Sequence, residues 1–158
     1  MKKPKPPVKS IVLTSLLLLL LPLVHAAEPL PSKGPAFDQV LVNSNDWQDV
    51  YNGLYFAELT GKPGDFILRP EMAPEVVQSL PEEQRRILLI EPVRNRQYAG
   101  LRQLLEEAGF IIVNVPGSGE YGYRLLGLVS PEGIIITDAR YPYNAIALAP
   151  YALQRRSF

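Results

Sequence analysis

The residues offering the most chemistry for their number lie between 43 and 49, in the run Asn43-Ser44-Asn45-Asp46-Trp47-Gln48-Asp49. Asn43, Asn45, Asp46 and Asp49 carry oxygens that could gather around a calcium ion. Their spacing lacks the alternating ligands, central glycine and bidentate glutamate of an EF-hand loop. The same residues suit a helix start. Asn and Ser oxygens accept hydrogen bonds from free helix N–H groups, and acids in the first turn complement the helix dipole. Trp47, Tyr51 and Tyr55 follow at i, i+4 and i+8 and share one helix face. Such a stripe either stacks on sugar rings or packs against a neighbouring module. Burial is the commoner fate of aromatics at helical spacing.

A second candidate is Gly117-Ser118-Gly119-Glu120-Tyr121-Gly122, which fits G-x-G-x-x-G between a predicted strand and a predicted helix. Asp138 follows Gly117 by 21 residues, the ribose-binding position of a dinucleotide fingerprint. Glu120 would set a carboxylate beside the pyrophosphate, and only one helix follows Asp138. A surface turn that includes Ser118 is the simpler expectation. A third candidate is the cluster Arg94, Arg96 and Arg102, which could hold a phosphate or carboxylate polymer. Glu91, Glu106 and Glu107 are alternative partners for these arginines. Arg124 and Arg140 are weaker additions. The ligand-binding candidates are thus Asn45, Asp46, Trp47, Asp49, Arg94, Arg96, Ser118, Asp138 and Arg140.

Composition removes several chemistries. The 158 residues contain no cysteine, so thiol nucleophiles, thiolate metal sites and disulfides are excluded. The single histidine, His25, lies in the N-terminal segment. Beyond it no imidazole base or His-ligated zinc can be built. Carboxylates can still perform acid–base work without histidine. No catalytic residue, metal or cofactor is assigned.

The first 26 residues carry Lys2, Lys3, Lys5 and Lys9, then the apolar run 11–24 interrupted by Pro22, then His25-Ala26-Ala27. This is the basic, apolar, small-residue order of a secretory signal, with cleavage expected after Ala26. The apolar run is short for a membrane span, although an uncleaved anchor is an alternative. Any membrane association is expected through this segment alone. Without it, twelve basic residues face sixteen acids, a net charge of −4. No basic stripe survives, so nucleic acid is not an expected partner. Ten of those twelve bases are arginines, which permits bidentate anion binding.

These candidates need elements to position them. Apolar runs at 37–42, 65–69, 86–90, 110–115 and 134–137 read as five strands. Helical patterns at 46–60, 73–80, 95–108, 123–129 and 144–156 lie between and after them. Continuous apolar strands alternating with helices predict an α/β fold. Its mostly parallel five-stranded sheet would carry helices on both faces, in a flavodoxin-like or Rossmann-like three-layer arrangement. Ligands are then expected at the carboxyl ends of the strands. Residues 27–36 hold three prolines and a glycine and read as a linker outside the core.

The unit also returns. Val42 matches Ile136, Trp47 matches Tyr141, and Phe56-Ala57 matches Tyr151-Ala152 after a one-residue slip. The domain 37–158 therefore reads as a full repeat over about 37–132 and the opening of a second over about 133–158.

Asp46-Trp47-Gln48-Asp49-Val50, a small-residue helix ending at Ala57, Gly61-Lys62-Pro63 and a following apolar strand resemble the cell-wall-binding repeat type 2 family. The segment from Asp138 to Ala152 is similar to the opening of the next such repeat. Glu91-Pro92 stand where members of that family commonly carry a Gly-Gly pair. The resemblance spans residues 39–152. It implies an exported, non-catalytic module at a cell surface that attaches to an anionic wall or envelope polymer or to neighbouring surface-protein modules. A carboxylate-dependent exported enzyme and a fragment of a larger surface protein are the alternative readings.

Overall fold

The computed structural model describes residues 29–158 except 118 and 139. The predicted signal segment and Ser118 therefore lie outside the described residues. Gln39–Val42 forms β1, with all four residues buried. The chain then turns into α1, Trp47–Leu59. Asp46 caps this helix by accepting a hydrogen bond from the Gln48 amide at 2.9 Å, in place of the preceding Asn and Ser residues expected to cap it, because Asn43 is committed elsewhere. The helix ends where Thr60 Oγ1 donates to the Phe56 carbonyl and Gly61 takes the left-handed conformation, φ +63°. Gly64–Phe66 forms the short β2. A 3₁₀ turn leads into α2, Ala73–Ser79, and then β3, Arg86–Ile90. Leu101–Glu107 is α3, Ile111–Asn114 is β4, Tyr121–Leu126 is α4 and Pro142–Gln154 is α5.

The sheet is parallel throughout, in the order β2-β1-β3-β4. Strand alternation divides the core in two. Val40, Val42, Leu88 and Ile90 face α1, α4 and α5 in one apolar cluster. Leu41, Ile87 and Leu89 face α2 and α3 in the other, with Ile67, Leu101 and Leu105. The expected α/β fold with a parallel sheet covered on both faces is therefore present.

Four strands, not five, pair in the sheet among the described residues. Residues 134–137 stay outside it. Their neighbourhood joins the chain's last residues instead, through a parallel bridge of Gly133 to Ser157 and a hydrogen bond from the Ile135 amide to the Phe158 carbonyl. Ile135 packs into the core while Ile134 and Ile136 face outward. A lone apolar run forms a sheet strand only when a neighbour's edge is available, and here the C-terminal residues supply the partner.

The helix expected near the end of the chain does form. α1 and α5 each contain 13 residues and begin 95 residues apart. Two other expectations shift. The helix predicted over 95–108 starts only at Leu101, because the Tyr98 backbone is held by Asn43, as described below. The segment read as a linker also reaches the core. Leu30 is buried, and its amide donates to the Leu59 carbonyl.

Candidate functional site

The strand order reverses direction between β1 and β3. α1 leads from β1 outward to β2, and α3 leads from β3 outward to β4, so the carboxyl ends of β1 and β3 open a crevice. Asn43 and Glu91 are the first residues beyond those two ends. Asn43 is fully buried and fully used. Its amide nitrogen donates to Glu91 Oε1 at 2.9 Å and to the Tyr98 carbonyl at 2.7 Å, and its oxygen accepts from the Tyr98 amide at 2.8 Å. This three-way bond holds residues 91–98 extended across the top of β3, which is why helix α3 begins late.

The Glu91 side chain is only 6% exposed and is paired on both sides. Arg96 Nε lies 3.5 Å from one carboxylate oxygen and Arg102 3.4 Å from the other. Arg102 also donates to Asn114 Oδ1 at 3.0 Å. Two of the three arginines read as an anion-binding edge are thus spent on a buried carboxylate, which would be costly without them. Arg94 is exposed, lines the crevice and has no ion-pair partner among the described residues.

The other wall comes from the start of α1 and from α4. Ser44 donates to Asp49 Oδ2 at 2.7 Å, and its hydroxyl also accepts from the Asp46 amide at 3.1 Å. Burial pushes the Asp49 carboxyl above its ordinary value. The Ser44 hydrogen bond opposes this, and the charges of Asp46 and Glu120 add to it. Tyr121 accepts from the Glu91 amide at 3.3 Å, and the Arg124 guanidinium lies 4.3 Å above the Tyr121 ring. Arg124 also donates to the carbonyls of Val115 and Pro116. Between these walls is a cleft of about 730 Å³. Its charged lining is Asp46, Asp49, Glu91 and Glu120 against Arg94 and Arg124. The amides of Gln48, Asn52 and Asn95 lie between them.

The fold brings some predicted residues together and leaves others apart. Asp46, Asp49 and Arg94 line the cleft. Asn45 is exposed beside it, its amide bonded to the Asn95 carbonyl at 2.8 Å. Arg96 is turned to Glu91. Asp138 and Arg140 line none of the cleft. They pair with each other at 2.6 Å on an exposed turn, which holds the Asp138 carboxyl below its ordinary range. Asp138 therefore does not stand at a strand end in the ribose position. Among the described residues no group of three or more acids could hold a metal ion.

The aromatic stripe splits. Trp47 is half-exposed, beside a small hollow shared with Tyr51, Thr137 and Ala145. Tyr51 and Tyr55 stack with ring centroids 5.8 Å apart. Their hydroxyls donate to the Ala145 and Ser157 carbonyls, at 3.0 and 2.5 Å. Two of the three rings thus hold the C-terminal segment against α1. Sequence reasoning named Glu91 as a partner for the arginines, which Arg96 and Arg102 bear out, but missed it and Tyr121 as organisers of the cleft. The available signal was a lone carboxylate immediately after the apolar strand Arg86–Ile90.

Compared with protein-family models, with curated proteins and with solved structures, the chain matches none.

Proposed function

We propose that the protein is an exported, non-catalytic module that holds its place at a cell surface by packing against neighbouring modules. The observation that carries this reading is α5. Its 13 residues contain no charged side chain, and Tyr143, Ile146 and Tyr151 on it are exposed. Ile134 and Ile136 beside it are exposed as well. Large apolar and aromatic side chains gathered exposed on one element mark an interaction surface. The leader-like N-terminus and the resemblance to cell-wall-binding repeats support export and a surface location.

Attachment to an anionic envelope polymer is the second form of the same reading, and it rests on Arg94, since Arg96 and Arg102 are paired. A carboxylate-dependent enzyme is a separate reading, favoured by one observation: Asp49 is raised in a cleft that also holds Asp46 and Glu120.

The test is retention of the purified protein on envelope material from its own source, at low and high salt. Packing predicts retention that survives high salt and is lost in Ile146→Asp. Polymer attachment predicts retention that falls with salt and is lost in Arg94→Ser. No retention at either salt overturns both. Turnover of a chromogenic glycoside or ester that disappears in Asp49→Asn would establish the enzyme instead.

A further inference from the structure

The two walls of the cleft beyond β1 and β3 carry opposite free charge. Asp46, Asp49 and Glu120 stand on the wall formed by the starts of α1 and α4. Ser44 occupies one oxygen of Asp49, and the Gln48 amide occupies one of Asp46. Each of these carboxylates keeps its other oxygen. Glu120 is exposed and has no ion pair among the described residues. Arg124 shares this wall, but its guanidinium donates to the Val115 and Pro116 carbonyls and lies over the Tyr121 ring. Residues 91–98 form the opposite wall. There Arg96 and Arg102 neutralise Glu91, which leaves Arg94 as the outward charge. The cleft is acidic on one side and basic on the other.

That separation selects the ligand. A metal ion needs several ligands converging on one point, and among the described residues no group of three acids provides this. A simple anion would meet three carboxylates against one free arginine. A simple cation would leave Arg94 unanswered. A molecule with an ammonium at one end and a carboxylate at the other answers both walls. Burial, and then the charges of Asp46 and Glu120, raise the Asp49 carboxyl, so an ammonium there relieves a repulsion that the fold leaves in place. Arg94 can meet a carboxylate through two parallel N–H groups.

The space between the walls suits a peptide. Its volume of about 730 Å³ lies within the range of about 300–1,000 Å³ typical of small-molecule sites and is larger than a single amino acid fills. Gln48, Asn52 and Asn95 line it, and their side-chain amides make no hydrogen bond among the described residues. Each offers an acceptor oxygen and N–H donors, the complement of a peptide group. Pro92 and Val93 add an apolar strip to the lining.

We propose that the cleft binds a short peptide with both ends free, its ammonium held by Asp49 and Glu120 and its carboxylate by Arg94. The site shares no residue with α5, so it stands or falls apart from the packing reading above.

The full chain is expressed in a secreting host, purified and dialysed against randomised tripeptides, and the retained peptides are read by mass spectrometry. One library has free ends, a second is N-acetylated and a third is C-amidated. Retention from the free-ended library is expected to exceed that from either blocked library at least tenfold. Arg94→Gln and Glu120→Gln alter exposed side chains without an ion pair among the described residues, so both variants keep the fold, and each is expected to cut retention at least tenfold. Ile146→Asp is expected to leave retention unchanged. No retained tripeptide, or equal retention of the blocked libraries, would overturn the proposal. Glu120→Gln separates a dipolar ligand from a plain anion. If it tightens binding of polyglutamate and leaves tripeptide retention intact, the cleft is an anion site and the proposal fails. Competition by free alanine as strong as by the retained tripeptides would assign the cleft to a single amino acid and overturn the peptide.

Discussion

At the scale of the residue, Asn43 bears the most structure per atom. Replacing it with alanine leaves the Tyr98 amide and carbonyl and one Glu91 oxygen without their buried partner. Asn43→Ala is expected to cost about 3 kcal/mol, read as a lower denaturant midpoint. Tyr55 gives a pH signature. Burial, with Tyr51 nearby, pushes its hydroxyl up to about 12 from 10.0. The folded state therefore keeps the proton after the unfolded chain has released it. This contribution is complete below pH 10 and is lost as pH rises towards 12. Tyr55→Phe should flatten the alkaline limb of the stability curve in that window. At neutral pH it should cost about 1–2 kcal/mol, because the Ser157 carbonyl loses its donor. Asp49 works in the same sense in acid. Its raised value makes the fold favour the protonated form, so stability is present below the ordinary carboxylate range and falls as pH rises through the raised value. Asp49→Asn should match the parent in strong acid and exceed it at neutral pH, as thermal melts at the two pH values would show.

At the scale of the element, α1 lies so close to the sheet that Gly53 has no room for a side chain. A Cβ there would sit 2.4 Å from Val42 Cγ2 and 2.8 Å from Ile90 Cδ1. Val42 is β-branched and fully buried, so it cannot swing away. Gly53→Ala should therefore lower stability by about 1–2 kcal/mol, although alanine favours the helix by about 1 kcal/mol. Chemical unfolding of this one variant separates close approach from propensity, because propensity alone predicts the opposite sign. The helix start was legible because a cap is local. The cap needs only the amides of the next turn, so α1 begins within one residue of its expected start, with Asp46 as the cap and not the Asn and Ser residues before it. The start of α3 was not legible. Its amphipathic pattern extends back to Asn95, but Asn43, 55 residues before Tyr98, holds that stretch extended.

At the scale of the whole molecule, residues 133–158 are part of the core built on the sheet. Ala152 is buried in the cluster on the α1 face, and Phe158 packs edge-on against Tyr55 with centroids 5.9 Å apart. A chain ending at residue 132 should lose at least about 3 kcal/mol and bind a hydrophobic dye, since Tyr55 and Leu125 would lose their cover. Calorimetry of that chain beside the parent checks this. A melt unchanged within about 1 °C would mean that residues 133–158 form an independent appendage.

The sequence by itself determined the alternation of helices and parallel strands, the start of α1 to within a residue, the presence of a helix near the end of the chain, and the absence of thiol and imidazole chemistry beyond the N-terminal segment. Each follows from local periodicity, capping or composition. Only the tertiary structure decided that Glu91 absorbs Arg96 and Arg102, that Asp138 and Arg140 pair away from the cleft, and that residues 134–137 join the C-terminal residues instead of the sheet. These outcomes depend on which edges and charges meet across long stretches of chain. Hydrophobic spacing specifies that a segment is buried or extended, but not which partner it reaches.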